Sequence, residues 1–253
     1  MKFRTTVGTV LAAAAGVIGM AAAPAMAAAP ATTHATTTQT AVKKAATLTA
    51  TYSSTSVAYG QWITVNIHLG ATATNRTVSL YARNWSNGAT YLAASGKVNS
   101  AGNLSVRYWE SQTRTWWASF SGDAAYNATT TKGVAVHVGS TTSGSFSRYY
   151  ATKSWAGHSV REFHASSVPT LQGTVTPNKS GENVTVTVQA YVNNAWVSAN
   201  TPHSFALQTG SVYGVQFTPS WPKNYEFRTE VSYGGDIANG GSNSGWQYWT
   251  VTN

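Results

Sequence analysis

Carboxylates are the first side chains to consider for chemistry, because hydrolytic enzymes depend on them and this chain has few. A glycosidase needs two carboxyl groups that face each other across a cleft. Glu226 and Glu230 would share the outward face of one strand, about 13 Å apart at ~3.3 Å per residue. That separation runs along a face, so we expect no enzyme built on a carboxylate pair. The seven acidic residues are Glu110, Asp123, Glu162, Glu182, Glu226, Glu230 and Asp236.

Histidine, serine and cysteine offer no stronger basis for catalysis or metal binding. His158 and His164 flank Glu162, but this segment reads as loop or strand and lacks the H-E-x-x-H spacing of zinc enzymes. No G-x-S-x-G motif presents a nucleophile, and the absence of cysteine excludes thiolate ligands. We therefore expect a non-enzymatic protein with no catalytic residue, no metal and no cofactor.

Asp123 and Asp236 occur in two similar Gly-Asp turns. Calcium prefers oxygen ligands of this kind, so a calcium site is conceivable. Neither turn supplies several nearby carboxylates, and an aspartate side chain often caps a turn by accepting hydrogen bonds from its backbone. The sequence favours capping.

Aromatic residues are unusually frequent, with 10 Trp and 13 Tyr in the chain. Trp62, Trp109 and Trp117 alternate opposite to their apolar neighbours, so they should point away from the core. Flat aromatic faces stack on sugar rings and also anchor protein interfaces. Alternatively, the N-terminal segment, loops or the other domain cover these rings.

Tryptophans in the second half fall in loops or near strand ends. Trp155 is one of them, and Trp221 lies in the stiff turn Pro219-Ser220-Trp221-Pro222, which would hold its indole rigidly. Trp116 and Trp249 have inward parity, and Tyr225 falls where a structural tyrosine is expected. The candidate binding residues are Trp62, Trp109, Trp117, Tyr81, Trp155 and Trp221.

Short alternating strands separated by turn signals dominate the chain, with no convincing helix. The pattern repeats, because Val78-Ser79-Leu80-Tyr81-Ala82 matches Val186-Thr187-Val188-Gln189-Ala190 at an offset of 108 residues. The Asp123 and Asp236 turns match at an offset of 113. The sequence thus predicts two tandem domains, at residues 47–138 and 146–253. A Gly/Ser/Thr-rich flexible linker is expected between them at 139–145.

The N-terminal residues read as a targeting segment. Lys2 and Arg4 precede an apolar, alanine-rich run and the A-x-A site Ala25-Met26-Ala27, which together predict a secretory signal peptide at 1–27. Residues 28–46 are Ala/Thr-rich without apolar periodicity and read as disordered. No later run approaches ~18 apolar residues, so we expect no membrane insertion and an extracellular protein, either released or associated with the cell wall.

The charge pattern bears on partners. Without Lys2 and Arg4 the chain keeps 14 basic and 7 acidic side chains, a net charge of +7. This favours anionic partners such as wall polymers. Because no basic cluster is larger than Lys43-Lys44, we expect no nucleic-acid binding.

Several short motifs carry a family resemblance. Ala58-Tyr59-Gly60, Gly96-Lys97-Val98 with Ala101-Gly102, and Phe120-Ser121-Gly122-Asp123 with Tyr126 resemble the bacterial Ig-like repeat domains of secreted actinobacterial proteins. Gly173-Thr174-Val175-Thr176-Pro177 and Tyr233-Gly234-Gly235-Asp236 resemble a more diverged copy. The resemblance implies an all-β fold of two immunoglobulin-like sandwiches. It implies no ligand and no catalytic residues.

This topology sharpens the aromatic pattern. In an Ig-like order, Trp62 on strand B and Trp109 on strand E are neighbours in one sheet, and Trp117 on strand F lies beside Tyr81 and Arg83 on strand C. We expect a secreted binding or adhesion protein that recognises a cell-wall polymer, polysaccharide or extracellular protein. The alternative is a structural spacer or self-associating assembly subunit without a small ligand.

Overall fold

The computed structural model describes residues 42–70, 75–218 and 221–253. Those residues form strands, turns and loops, and they contain no helix long and apolar enough to cross a membrane. The predicted signal peptide, and residues 28–41 of the segment expected to be disordered, lie outside the described residues.

The first half forms a sandwich of two sheets. One sheet has the order β1-β3-β6, and the facing sheet has the order β5-β4-β7-β9. β2 runs parallel to β9 at the sheet edge, and β8 pairs with β7. The strands are β1 (Leu48–Tyr52), β2 (Ser56–Ala58), β3 (Trp62–Leu69), β4 (Thr77–Asn84), β5 (Thr90–Lys97), β6 (Asn103–Trp109), β7 (Arg114–Phe120), β8 (Thr129–Thr130) and β9 (Val134–Gly139).

Strict alternation on β3 builds one wall of this core. Ile63, Val65, Ile67 and Leu69 are buried, as their spacing predicts, and the residues between them point outward. The facing wall includes Trp116, whose side chain is fully buried. The side chains that alternate with these buried residues form the outer face of the sheet and take no part in the core.

The second half repeats this plan. One sheet has the order β10-β13-β17, and the other runs β11-β12-β20-β18, with β14 pairing β18 on its far side. β15 and β16 both pair with β14, and β12 runs parallel to β20 as β2 does to β9. The strands are β10 (Thr141–Ser147), β11 (Ala151–Trp155), β12 (His158–His164), β13 (Thr170–Thr176), β14 (Asn183–Val192), β15 (Ala195–Ser198), β16 (His203–Ala206), β17 (Val212–Gln216), β18 (Glu226–Gly235), β19 (Gly240–Asn243) and β20 (Gln247–Thr252).

Strands A, B and E of an immunoglobulin-like domain correspond to β1, β3 and β6 in the first sandwich and to β10, β13 and β17 in the second. Strands C, F and G, in the facing sheets, correspond to β4, β7 and β9 and to β14, β18 and β20. Each encloses its own hydrophobic cluster, and the second is centred on the fully buried Trp249. The predicted fold class, two tandem immunoglobulin-like β-sandwiches, is therefore confirmed.

Residues 139–145 do not form the predicted flexible linker. β9 runs to Gly139 and β10 begins at Thr141, so only Ser140 separates the strands. Ser140 is buried, and its hydroxyl donates to the Gly240 carbonyl at 2.7 Å. Because serine and threonine hydroxyls can bond across strands, a composition typical of linkers here forms a paired strand.

The end of the segment predicted as disordered also pairs. The Lys44 amide donates to the Ala125 carbonyl, and the Asn127 amide donates to the Lys44 carbonyl, both at 2.8 Å. Residues 43–46 therefore pack against a turn of the first sandwich.

Direct hydrogen bonds join the two sandwiches. The Thr113 amide donates to the Ala238 carbonyl at 2.7 Å, and Asn239 Nδ2 donates to the Ser111 carbonyl at 3.2 Å. A single parallel pair, Gly240 with Gly139, connects the larger sheets. The buried backbone groups of this junction thus find partners in the opposite sandwich.

Candidate binding surfaces

Two of the three exposed tryptophans among the described residues lie side by side on the outer face of the β1-β3-β6 sheet. Trp62 and Trp109 lie on neighbouring strands, as predicted, and they are directly opposite in register, with 55% and 40% of their surfaces exposed. The Arg107 guanidinium lies 5.2 Å from the Trp62 ring centre, and the Tyr59 ring packs edge-on against Trp109 at 5.6 Å. These contacts orient two open indole surfaces at one end of the sheet.

The same outer face continues as a polar strip. Asn66 lies opposite Ser105, and His68 lies opposite Asn103. A shallow groove of about 470 Å³ follows this strip. His68 Nδ1 and Asn103 Oδ1 are 2.8 Å apart. The tryptophan face, as we call it, consists of Trp62, Asn66, His68, Asn103, Ser105, Arg107 and Trp109.

The tryptophan face spans about 20 Å from Trp62 to His68, at ~3.3 Å per residue along β3. Aromatic stacking surfaces lie at one end, and amide, hydroxyl and imidazole groups lie along the rest. An extended ligand with apolar ring faces and hydroxyl groups could contact both parts at once.

Trp117 and Tyr81 lie on the other sheet of the first sandwich. They are paired in register, as predicted, and their rings stack with centres 5.9 Å apart. Both are half-buried. Nearby, Trp85 donates its indole N–H to Thr115 Oγ1 at 3.0 Å. Because each ring of the stacked pair covers part of the other, this pair presents less free aromatic surface than the tryptophan face.

Trp155 is the last residue of β11, near a strand end as predicted, and belongs to an aromatic cluster of the second sandwich. Its ring lies 4.9 Å from Tyr191 and 5.8 Å from Trp196. Three strands separate β11 from β14 in the sheet, a distance of about 19 Å at ~4.8 Å per strand. The β11–β12 hairpin must therefore curl over the outer face and cover these rings.

The side chain of Arg228 packs between two tryptophans of this cluster. The Arg228 guanidinium lies 4.5 Å from the Trp196 ring centre and 4.2 Å from that of Trp246. His158 stacks on Tyr248 with ring centres 4.0 Å apart. Since these aromatic faces already have partners, the cluster is built mainly to stabilise the sheet.

Trp221 and Tyr225 precede the start of β18, and the inward orientation predicted for Tyr225 is wrong. Trp221 is half-buried, and its ring packs against Phe227 and Trp249 at 5.1 and 5.2 Å, so the indole lies at the margin of the core. Tyr225 is 45% exposed. It precedes β18, which begins at Glu226, so the alternation of inward and outward side chains along that strand does not include it.

The two Gly-Asp turns use their aspartates as caps. Asp123 Oδ1 accepts from the Ala125 and Tyr126 amides at 2.8 Å, and its Oδ2 accepts from Arg76 Nε at 2.6 Å. The Arg76 hydrogen bond and these amides lower the pKa of the Asp123 carboxyl.

Asp236 makes the same turn with Lys179 in place of arginine. Burial alone would raise the pKa of its carboxyl, but Lys179 and the turn amides hold the pKa below its usual range. A basic side chain thus lies where a cation would bind in both turns. Among the described residues no group of three or more metal-ligating side chains occurs.

A buried ion pair that no sequence pattern predicts lies between β6 and β7. Glu110 is fully buried, and Arg114 Nη1 donates to its Oε2 at 2.5 Å. Burial raises the pKa of the Glu110 carboxyl, and Arg114 offsets part of that rise. Because Glu110 and Arg114 flank a turn, they belong to no periodic pattern of apolar residues, and the sequence does not predict their burial.

The remaining pair of interest, Glu226 and Glu230, points outward as expected. Glu226 accepts from Lys153 Nζ at 2.7 Å, which ties β18 to the β11–β12 hairpin. Both glutamates are half-buried. Their position along one strand offers no facing pair of carboxylates.

Comparison with known proteins yields only distant likenesses. No protein-family model and no curated protein matches the sequence. Solved structures similar to this chain include a marsupial T cell receptor (9% identity, TM-score 0.28, 81% of this chain and 73% of that chain). Red sea bream transglutaminase is similar at 8% identity with a TM-score of 0.33, over 81% of this chain and 31% of that chain. An ICAM-5 D1–D4 ectodomain fragment is similar at 11% identity with a TM-score of 0.34, over 81% of this chain and 54% of that chain. This chain spans about a third of the transglutaminase and about half of the ICAM-5 fragment. The fold assignment accordingly rests on strand order.

Proposed function

We propose that this chain is a secreted, non-catalytic binding protein that holds a polysaccharide, such as a cell-wall polymer, on the tryptophan face. One observation carries the proposal: Trp62 and Trp109 are both exposed and lie directly opposite each other on one sheet face, whereas the exposed Trp85 packs edge-on against His137 and donates its indole N–H to Thr115. Exposed apolar surface of this kind usually marks a contact site.

The chemistry of the face supports a sugar ligand. Pyranose rings have apolar faces that stack on indoles, and their hydroxyl groups both donate and accept hydrogen bonds. Asn66, Asn103 and Ser105 supply neutral donors and acceptors beside the stacking surface. Secretion is proposed from the signal-peptide pattern of residues 1–27 alone.

A pull-down tests the proposal. Residues 28–253 are incubated with insoluble peptidoglycan, chitin and cellulose, at low salt and at ~0.5 M salt, where screening shortens charge interactions to a few ångström. Retention on one polymer at both salt concentrations, lost in Trp62→Ala, is the expected result. Trp85→Ala is the matched control, because Trp85 is also 40% exposed but lies off the face.

The opposite result is also informative. If the protein is retained by none of these three polymers and binds no acidic polysaccharide, the polysaccharide proposal is wrong. A mass in solution that rises with protein concentration, and no longer rises in Trp62→Ala, would then identify the tryptophan face as a contact between copies, which is the assembly alternative.

A further inference from the structure

The positive charge of the chain is concentrated in one sandwich. Residues 42–140 contain eight basic and two acidic side chains, whereas residues 141–253 contain six and five. The net charges are therefore +6 and +1. The sandwich that carries the tryptophan face is the strongly basic one.

Both acidic residues of the first sandwich are already paired. Glu110 is buried against Arg114, and Asp123 accepts from Arg76. Neither belongs to the tryptophan face, which has no carboxylate at all. An anionic ligand would therefore meet no like charge on this face.

Arg107 supplies a cation within the face. It is exposed, lies over the Trp62 ring at 5.2 Å, and makes no ion pair with any described residue. Stacking on an indole limits the motion of the guanidinium, so less entropy is lost when its planar N–H groups bind an anion. A guanidinium can bind a carboxylate through two parallel hydrogen bonds.

The geometry points to an acidic polysaccharide as the ligand of the tryptophan face, with a sugar ring stacked on Trp62 or Trp109 and a neighbouring carboxylate bound by Arg107. This inference rests on the proposed function and narrows it to a charged class of polymer. Sugar rings and carboxylates alternate at short intervals in uronate polymers, which matches an indole and a guanidinium in adjacent positions.

Two forms of one polymer test the inference. Affinity electrophoresis or calorimetry compares polygalacturonate with its fully methyl-esterified form, which keeps the sugar backbone and removes the charge. The protein is the chain of residues 28–253. Polygalacturonate should bind at least tenfold more tightly than the ester.

Two charge-removing variants separate a defined site from diffuse attraction. Arg107→Gln should weaken polygalacturonate binding about tenfold. Lys97→Gln removes the same charge from the same sandwich, but Lys97 lies on β5 in the other sheet, so its loss should change binding less than twofold. Both side chains are exposed, so neither change disturbs the core.

The outcomes separate this inference from the proposed function. Equal affinity for both forms would overturn the inference while leaving polysaccharide binding in place. Equal losses in Arg107→Gln and Lys97→Gln would overturn the role of Arg107. Absence of binding to either form, together with retention on chitin or cellulose, would also overturn the inference. Absence of binding to every polymer would overturn the proposed function itself.

Discussion

The two sandwiches share one strand order but use their outer faces in opposite ways. In the first, Trp62 and Trp109 lie open beside a polar strip on a basic domain. In the second, Trp155, Trp196 and Arg228 cover one another under a curled hairpin, and the net charge is near zero. The comparison teaches that the core fixes the fold, while the outward positions of each strand are free to become a contact surface or a stabilising cluster.

Their interiors differ as well. The fully buried tryptophan is Trp116 on β7 in the first sandwich and Trp249 on β20 in the second. Trp249 donates its indole N–H to Thr229 at 2.9 Å, whereas the first sandwich carries the buried Glu110–Arg114 pair. The fully buried tryptophan thus has a hydrogen-bond partner in the second sandwich, and the first sandwich differs in carrying a fully buried glutamate.

The largest expected effect lies in that ion pair. Glu110→Leu leaves Arg114 buried and unpaired, which should cost about 3–5 kcal/mol of unfolding free energy. Calorimetry should show a lower unfolding temperature for the first sandwich and little change in the unfolding of the second sandwich. The double variant Glu110→Leu/Arg114→Met should recover most of the lost free energy, and a double variant as unstable as the single one would contradict this account.

The neutral counterpart in the second sandwich should respond more weakly. Thr229→Val keeps the side-chain shape but leaves the Trp249 indole N–H unsatisfied, which should cost about 1–3 kcal/mol. Chemical denaturation followed by tryptophan fluorescence measures the change. A cost equal to that of Glu110→Leu would mean that the two interiors are stabilised alike.

A smaller effect is expected at the side of the first sandwich. The Tyr91 and Tyr108 hydroxyls are 2.9 Å apart and join β5 to β6, the edge strands of the two facing sheets. Tyr91→Phe should cost about 0.5–1.5 kcal/mol. The second sandwich has an open cavity of about 240 Å³ between its edge strands β16 and β17. An unchanged free energy of unfolding would show that the hydrogen bond between Tyr91 and Tyr108 does not stabilise the contact between β5 and β6.

Much of the fold could be predicted because alternation is a local signal. Ile63, Val65 and Ile67 alternate with outward residues, and the Ig-like order then placed Trp62 beside Trp109 and Tyr81 beside Trp117. The register confirms both pairs. Whether these residues bind a ligand stays a prediction.

Other features depend on contacts that no local pattern encodes. Residues 139–145 look like a linker because their composition is flexible, yet hydroxyl groups tie them to β13 and β19. Trp155 and Trp221 occupy apparent loops, but their rings are covered by residues distant in sequence. The burial of Glu110 likewise follows from the packing of two sheets and not from its neighbours in the chain.

Fluorine NMR of the 5-fluorotryptophan-labelled chain, residues 28–253, tests the central claim most directly. The chain has ten tryptophans, and Trp62→Phe and Trp109→Phe assign the two resonances of interest. Chitotetraose, cellotetraose and tetragalacturonate are titrated in turn. We predict saturable shifts of the Trp62 and Trp109 signals with at least one of them, and little change elsewhere. Shifts confined to Trp155, Trp196 or Trp246, or no shift with any of the three, would contradict the assignment of the binding site to the tryptophan face.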